Sequence, residues 1–368
     1  MTMDFSLLPR IFSTLRIEMT PRLILIEAAD LRSAHVPPFP PDCPALLLNV
    51  DSPQLAAPLK NILRAIYPGD HLLRLVDPLA EKIVWEGPLD ALEQFSAWQA
   101  HTALYVPPLG EGTSFEAFAE IVAHLRAPNG CPWDREQTHA SLRAHLLEEA
   151  YEAITAIDNN DFTDMREEFG DLLLQIVLQA QIASEEGHFN IKDVIQGIYA
   201  KIIRRHPHVF GDVQVEGVQG VLQNWEKLKE AERRNNGQSQ KGLLDGVPLS
   251  LPALAQAQEY QDRAARVGFD WPEIEGVLDK IAEEIQEIKE ARDGEHLAEE
   301  IGDLFFVLVN LARWKKIDAE AALRQTNAKF KRRLAYVEQQ AKAQGKSLSE
   351  MSLAEMDALW DAGKAAGL

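Results

Sequence analysis

The sequence predicts an α+β protein in which a small α/β domain precedes two related all-helical modules. Three observations predict this. Short apolar runs flanked by prolines occupy roughly the first hundred residues, helical periodicity takes over after a Pro-Pro break, and one acidic pattern occurs twice in the helical part.

In the N-terminal segment, Arg22-Leu-Ile-Leu-Ile-Glu27 and Ala45-Leu-Leu-Leu-Asn-Val50 are short apolar runs that read as buried strands. Leu55 to Tyr67 has helical spacing, and His71-Leu-Leu-Arg-Leu-Val76 and Lys82-Ile-Val-Trp-Glu86 read as two more strands. Val106-Pro-Pro-Leu-Gly110 forms a boundary, because paired prolines exclude helix and leave an extended linker. The first domain is therefore expected over residues 1–107.

From Ser114 onward the apolar residues recur at helical spacing. Ser114 is placed to cap a helix whose apolar face is Phe115, Phe118, Ile121, Val122 and Leu125. Three further amphipathic segments follow: Leu142 to Ile157, Phe162 to Ser184 and Ile191 to Arg205. Arg233-Arg-Asn-Asn-Gly-Gln-Ser-Gln-Lys-Gly242, with Pro248 and Pro252 beyond it, reads as a flexible loop. This sets a first helical module at 114–232, a linker at 233–252 and a second module at 253–368.

The modules share a pattern. Glu148-Glu-Ala-Tyr-Glu152 and Glu168-Phe-Gly-Asp171 reappear as Glu283-Glu-Ile-Gln-Glu287 and Glu300-Ile-Gly-Asp303, each second motif running into an apolar stretch. A basic element repeats as well, Lys201, Arg204 and Arg205 matching Lys329, Arg332 and Arg333. Residues three apart share a helix face, so Glu149 pairs with Glu152 and Glu168 with Asp171. Antiparallel helices joined at Asp158-Asn-Asn-Asp161 bring the pairs together, and such a like-charged cluster needs a compensating cation. Oxygen-only ligands favour Mg²⁺ or Mn²⁺. Gly170 and Gly302 each precede the aspartate, and a glycine inside a helix predicts close helix approach or ligand access. The basic residues are candidates for holding phosphates, against the plainer reading of charges that complement a helix C-terminus. His206-Pro207-His208 reads as a turn after a helix, not as a metal site.

Composition narrows the function classes. With a net charge of −20, the chain is a poor phosphate-backbone reader, so no nucleic-acid partner is expected. A small polyphosphate bridged by a divalent cation remains compatible with this acidity. The most apolar run, Leu172 to Ala183, is broken by three glutamines, so no membrane partner is expected, and no secretory signal is evident around Arg10 and Arg16. Two cysteines without zinc-type spacing, Cys43 and Cys131, point to a reducing cytoplasm.

These residues resemble the MazG family. The resemblance rests on Glu148 to Glu152 and Glu168 to Asp171, with Gly130-Cys-Pro-Trp-Asp134 upstream and Arg204-Arg-His-Pro-His-Val-Phe210 downstream. The second module adds Val267-Gly-Phe-Asp-Trp271, Glu283 to Glu287, Glu300 to Asp303 and Asn327-x-Lys-Phe-x-Arg-Arg333, so that about residues 114–360 are covered. The resemblance implies four-helix-bundle-like all-α modules, usually dimeric, that use Mg²⁺ to split a nucleoside triphosphate into monophosphate and pyrophosphate. It implies metal ligands at Glu149, Glu152, Glu168 and Asp171, and at Glu284, Glu287, Glu300 and Asp303. Glu148 and Glu283 would activate water or support the ligands. Trp133 and Trp271 are candidates for stacking on the base, and Asn327 falls in the substrate motif. One departure is Glu259, where the family commonly carries a lysine. Residues 1–107 resemble the latter half of a tetrapyrrole methylase domain, including the Leu104-Tyr-Val-Pro-Pro-Leu109 exit; without a glycine before Gly69, no cofactor loop is expected and a remnant kept for structure or partner binding is the simpler reading.

Competing readings differ in class. A di-iron bundle needs Glu-x-x-His motifs, which neither Glu152 nor Glu168 begins. A P-loop enzyme needs a Gly-x-x-x-x-Gly-Lys-Ser/Thr stretch, which is absent. A noncatalytic dimerisation or regulatory protein with vestigial metal sites is the alternative that the motifs leave open.

Overall fold

The structure, a computed structural model, describes residues 5–17, 21–218, 220–221, 224–225, 228 and 242–368. The expected loop at 233–242 lies outside the described residues except for Gly242. Two compact units form, one of Met1–Tyr151 with Arg166–Ile195 and the other of Glu152–Met165 with Gln196–Leu368.

The first unit begins with helix α1 (Leu8–Leu15) and contains strands β1 (Ile24–Glu27) and β2 (Ala45–Leu48), helix α2 (Ala56–Arg64) and strands β3 (Leu72–Asp77), β4 (Lys82–Pro88) and β5 (Ala103–Val106). The strand order is β1-β2-β5-β3-β4. Only β1 and β2 are parallel, and β5 pairs antiparallel with both β2 and β3. Alternation of side chains across the strands explains the two cores. Ala45, Leu47, Leu104 and Val106 face α2 with Leu59, Ile62 and Leu63. Leu46, Leu48, Ala103 and Tyr105 face α1 with Ile11 and Leu15. The four strands and the helix read from the sequence form. The reading missed β5, which was taken only as the way out of the domain, and it missed α1, although Leu8, Ile11, Phe12 and Leu15 carry its helical spacing.

Beyond the Pro-Pro break the chain is helical. Helix α3 (Phe115–Arg126) starts at Ser114, whose hydroxyl accepts from the Ala117 N–H at 3.1 Å. Then come α4 (Pro132–Glu136), α5 (Arg143–Asn159), α6 (Phe162–Glu185), α7 (Ile191–Arg205) and α8 (Pro207–Phe210). Val122 of α3, Leu142 and Val177, Leu178 and Ile182 of α6 form a small core. Beside it the buried Arg126 guanidinium grips Glu185 at 2.7 Å and also donates to the carbonyl of Gln137 at 3.2 Å. Gly130 closes the turn between α3 and α4, where a Cβ would stand 2.2 Å from the His124 carbonyl oxygen.

In the second unit α9 (Ala253–Arg266) ties two other helices together. Gln261 donates to the Phe306 carbonyl at 2.7 Å, and Gln258 accepts from the Ala319 N–H at 2.9 Å. Helices α10 (Ile274–Glu290) and α11 (Gly294–Trp314) are joined by only Ala291, Arg292 and Asp293, which makes them antiparallel neighbours. Asp293 caps α11 through the His296 N–H, and Asp318 caps α12 (Ala319–Ala343) through the Ala321 N–H. The last helix, α13 (Leu353–Ala365), packs on α12 and opens with a reciprocal capping box of Ser352 and Glu355.

Two predictions follow from these contacts. Gly130→Ala must push the α3–α4 turn apart, and denaturant titration is expected to show a loss of about 1–3 kcal/mol. Glu355 is held down to about 2 by its hydrogen bond from Lys346 and then by the Ser352 N–H. A carboxylate lowered in the folded state contributes above its ordinary value of 4.5 and loses that contribution as pH falls toward about 2. Amide exchange at the start of α13 should therefore quicken over that window in the native chain and be insensitive to pH there in Glu355→Gln once the intrinsic rate is divided out.

Candidate metal centre

On α10 the buried face runs through Val277 and Glu284, and on α11 through Glu300 and Val307, each pair seven residues apart. Carboxylates therefore occupy seam positions where an antiparallel helix pair ordinarily places apolar side chains. Glu284 is 2% exposed and Glu300 is 9% exposed. Glu287, one turn beyond Glu284, joins them, and the three offer carboxylate oxygens that all lie within 4.8 Å of one another. Glu149 and Glu152 of α5 with Glu168 of α6 form the corresponding group, again within 4.8 Å.

The electrostatics of the second group are those of an under-compensated cluster. Lys280 reaches Glu284 at 2.8 Å and Glu283 at 2.9 Å, and these carboxylates raise its affinity for its proton. His296 sits 2.9 Å from Glu300. Burial, and then the charges of Glu300 and Glu284, push the Glu287 carboxyl up. Glu284 Oε2 is buried with no hydrogen-bond partner. A buried carboxylate oxygen left without a donor is costly, and a divalent cation satisfies it. The donor set is oxygen only, which fits magnesium or manganese and disfavours zinc.

Of the four carboxylates expected to converge in each module, the structure brings three together. Asp171 and Asp303 lie outside the groups whose oxygens meet within 4.8 Å among the described residues. Each stands three residues beyond Glu168 or Glu300, displaced along its helix by about 4.5 Å. The expectation of close helix approach at Gly170 and Gly302 is also corrected, since a Cβ at either would meet nothing within 4 Å. Open space remains beside both.

The other candidates are placed as follows. Glu148 is exposed, and Glu283 is exposed and paired with Lys280. Trp271 lies against Gly276, where an added Cβ would come within 2.4 Å of its ring, so the indole is a packing element of the α10 start. Trp133 is exposed, edge-on to His145 at 6.4 Å. Lys201 and Arg204 are exposed on α7, and Arg205 lies 5.9 Å from the Trp225 ring centre. Asn327, Lys329 and Arg332 are exposed on α12. Arg333 is half-buried, donating to the Leu368 carbonyl at 2.7 Å and lying over the Trp360 ring at 5.6 Å. Glu259, the departure noted above, pairs with Arg263 at 2.8 Å.

Three residues of this region escaped the sequence reading. Lys280 and His296 each stand four residues before a cluster glutamate, a helical spacing that was available as a signal. Trp360, packed 5.2 Å from Phe330, gave none, because it reaches α12 from a different helix.

The MazG nucleotide pyrophosphohydrolase domain model matches residues 137–210 and again 273–337. A Thermotoga maritima protein named "Nucleoside triphosphate pyrophosphohydrolase/pyrophosphatase MazG" is 45% identical over 69% of this chain and 96% of its own length. The chain belongs to the MazG family. An Escherichia coli K12 protein named "Nucleoside triphosphate pyrophosphohydrolase" is 47% identical over 65% of this chain and 93% of its own. The "Uncharacterized protein YabN" of Bacillus subtilis is 47% identical over 75% of this chain, and the match spans 58% of that protein. Each of the two MazG segments contains one complete carboxylate trio.

The uncompensated seam makes a prediction with opposite signs. Glu284→Leu should raise the melting temperature in chelator, because it removes a buried, partly unpaired charge. If the trio holds Mg²⁺, the cation should raise the melting temperature of the native chain and raise that of the variant less, since only the Glu149, Glu152, Glu168 group remains, read by differential scanning fluorimetry.

Proposed function

We propose that this chain is a Mg²⁺-dependent nucleoside triphosphate pyrophosphohydrolase that releases the nucleoside monophosphate and pyrophosphate, with Mn²⁺ as a substitute cation. The observation that carries the reading is the unpartnered oxygen of Glu284 inside the Glu284, Glu287, Glu300 trio. These residues would hold the cation, with Asp303 drawn in from one turn away, and Glu149, Glu152, Glu168 and Asp171 would do the same in the first module. A bound magnesium ion supplies charge neutralisation on the triphosphate and polarises its phosphorus–oxygen bonds.

The chain's own side chains supply the remaining work. Glu283, or Glu148 in the first module, is an exposed carboxylate beside the trio and is suited to accept the proton of the attacking water. Lys280 turns its ammonium from the carboxylates toward phosphate oxygens. Lys329, Arg332 and Arg333 contribute further cations to the phosphates, as do Lys201, Arg204 and Arg205 in the first module. Phe330 and Trp360 form an aromatic shelf beside Arg333 on which a base can stack. Trp271 is better explained by packing.

A homodimer suits the outer surfaces of the helix pair. Leu278 and Ile285 of α10 and Ile301, Phe305 and Leu308 of α11 are exposed and helically spaced, which is a stripe for a second copy to cover. The two free cysteines support a cytoplasmic setting. No described helix is long and apolar enough to cross a membrane. The N-terminal sheet we assign to structure or partner binding and not to methyl transfer, since the turn after β2 is made by Asn49 at a φ of 56° and not by a glycine-rich loop.

The test is pyrophosphate release from a panel of nucleoside triphosphates, with and without Mg²⁺. Glu152→Ala and Glu287→Ala should each report on one module, and the double variant should fall by at least about a thousandfold. Undiminished release by the double variant would overturn the assignment. Separately, Ile301→Asp with Phe305→Asp should move the chain from dimer to monomer in light scattering.

A further inference from the structure

The second carboxylate group already holds a cation of its own. Lys280 stands four residues before Glu284 and three before Glu283 on α10, and its Nζ lies 2.8 Å from Glu284 Oε1 and 2.9 Å from Glu283 Oε1. The two partners differ in depth, since the Glu284 side chain is 3% exposed and that of Glu283 is 56% exposed. The ammonium thus sits between the buried trio and solvent.

Helix stability gives little reason for this arrangement. Glutamate before lysine is the favourable order at a spacing of four, and here the lysine comes first. The first module carries no lysine at the corresponding position, which is His145, its ring edge-on to Trp133.

The two oxygens of Glu284 have different surroundings. Oε1 meets the ammonium, and Oε2 is buried with no hydrogen-bond partner. A divalent cation taken up at Oε2 would share this one carboxylate with Lys280. Like charges within about 4–6 Å oppose one another, and the more so where burial lowers the dielectric. Lys280 is able to yield. Its charge is a compact point on a flexible stem, its side chain is 33% exposed, and its second partner faces water.

We propose that Lys280 is a resident counter-ion that keeps the second group poor in divalent cation until phosphate arrives, and then exchanges Glu284 for phosphate oxygens. The inference rests on the cation reading given above and adds an order to it. In the metal-free chain the ammonium offsets part of the charge of the trio and opposes entry of a second cation. A phosphate gives the ammonium a new partner, and its departure leaves Glu284 wholly to the metal. Metal and triphosphate therefore favour one another through this one side chain, and such linkage is reciprocal. Lys280 acts on the cation as a gate and on the phosphate as a ligand.

The test uses the full chain with the first group silenced by Glu149→Gln and Glu152→Gln, and compares the native lysine with Lys280→Met and Lys280→Arg. Without nucleotide, Mn²⁺ binding, read from the paramagnetic resonance of the free ion, should be about tenfold or more tighter in Lys280→Met. Lys280→Arg keeps the charge and should stay close to the native affinity. In saturating Mg²⁺ the order should invert, with inorganic tripolyphosphate binding about tenfold or more weakly to Lys280→Met in calorimetry. A lysine needed only for the local fold would weaken both ligands together when replaced, and that result would overturn the exchange. So would Mn²⁺ binding that is unchanged in Lys280→Met, or tripolyphosphate binding that is undiminished. Lys280→Gln repeats the comparison if circular dichroism shows that Lys280→Met does not fold. Should Mn²⁺ bind to none of these proteins, the cation reading of the second group falls as well; should it bind equally to native and variant, only the role of Lys280 falls.

Discussion

The feature on which the second unit turns is the replacement of apolar seam residues by acids. Two antiparallel helices bury Val277 and Val307 in an ordinary way, and between them bury Glu284 and Glu300. Burying carboxylates costs far more than burying valine recovers, unless opposite charge arrives. Lys280 provides part of it, and the unpartnered Glu284 oxygen shows where the remainder belongs. A cation held there, as proposed above, would stabilise the helix pair and in that case couple the folded state to the functional one.

Such a seam needs firm support from outside, because the acids pull the helices apart. The support is polar and directional. Gln261 bonds the backbone of α11 and Gln258 the start of α12. Asp270 receives Arg313 at 2.5 Å, and the same guanidinium donates to Asn310 at 2.8 Å. In this way the turn containing Trp271 is fixed to the far end of α11, and the motif that suggests a base-stacking tryptophan from its sequence is a latch between helices. Trp360, packed on Phe330 and under Arg333, also presents flat aromatic surface near a cation.

The two modules are alike in their trios and unlike in what surrounds them. At the helical positions of Lys280 and His296 the first module carries His145 and Asp164. The second group has Lys280 and His296 within ion-pair distance of its carboxylates, and at the corresponding positions His145 is edge-on to Trp133 and Asp164 is a further acid. Repetition of the ligands thus comes without repetition of the residues one turn before them.

The sequence by itself determined much of this protein. Helical period fixes that Glu284 and Glu287 share a face, and the duplicated spacing fixes that the acids occur as two sets, because both facts are local properties of an α-helix. The strands and the cap at Ser114 were legible for the same reason. The tertiary structure decided what local rules cannot reach. It placed β5 in the middle of the sheet, where a four-residue run ending at paired prolines is completed by partners far along the chain. It left Asp171 and Asp303 outside the trios, since convergence depends on how two helices are staggered and not on spacing within one. It emptied the space beside Gly170 and Gly302, and it brought Trp360 to Phe330. Periodicity states which residues point the same way. Only packing states what they point at.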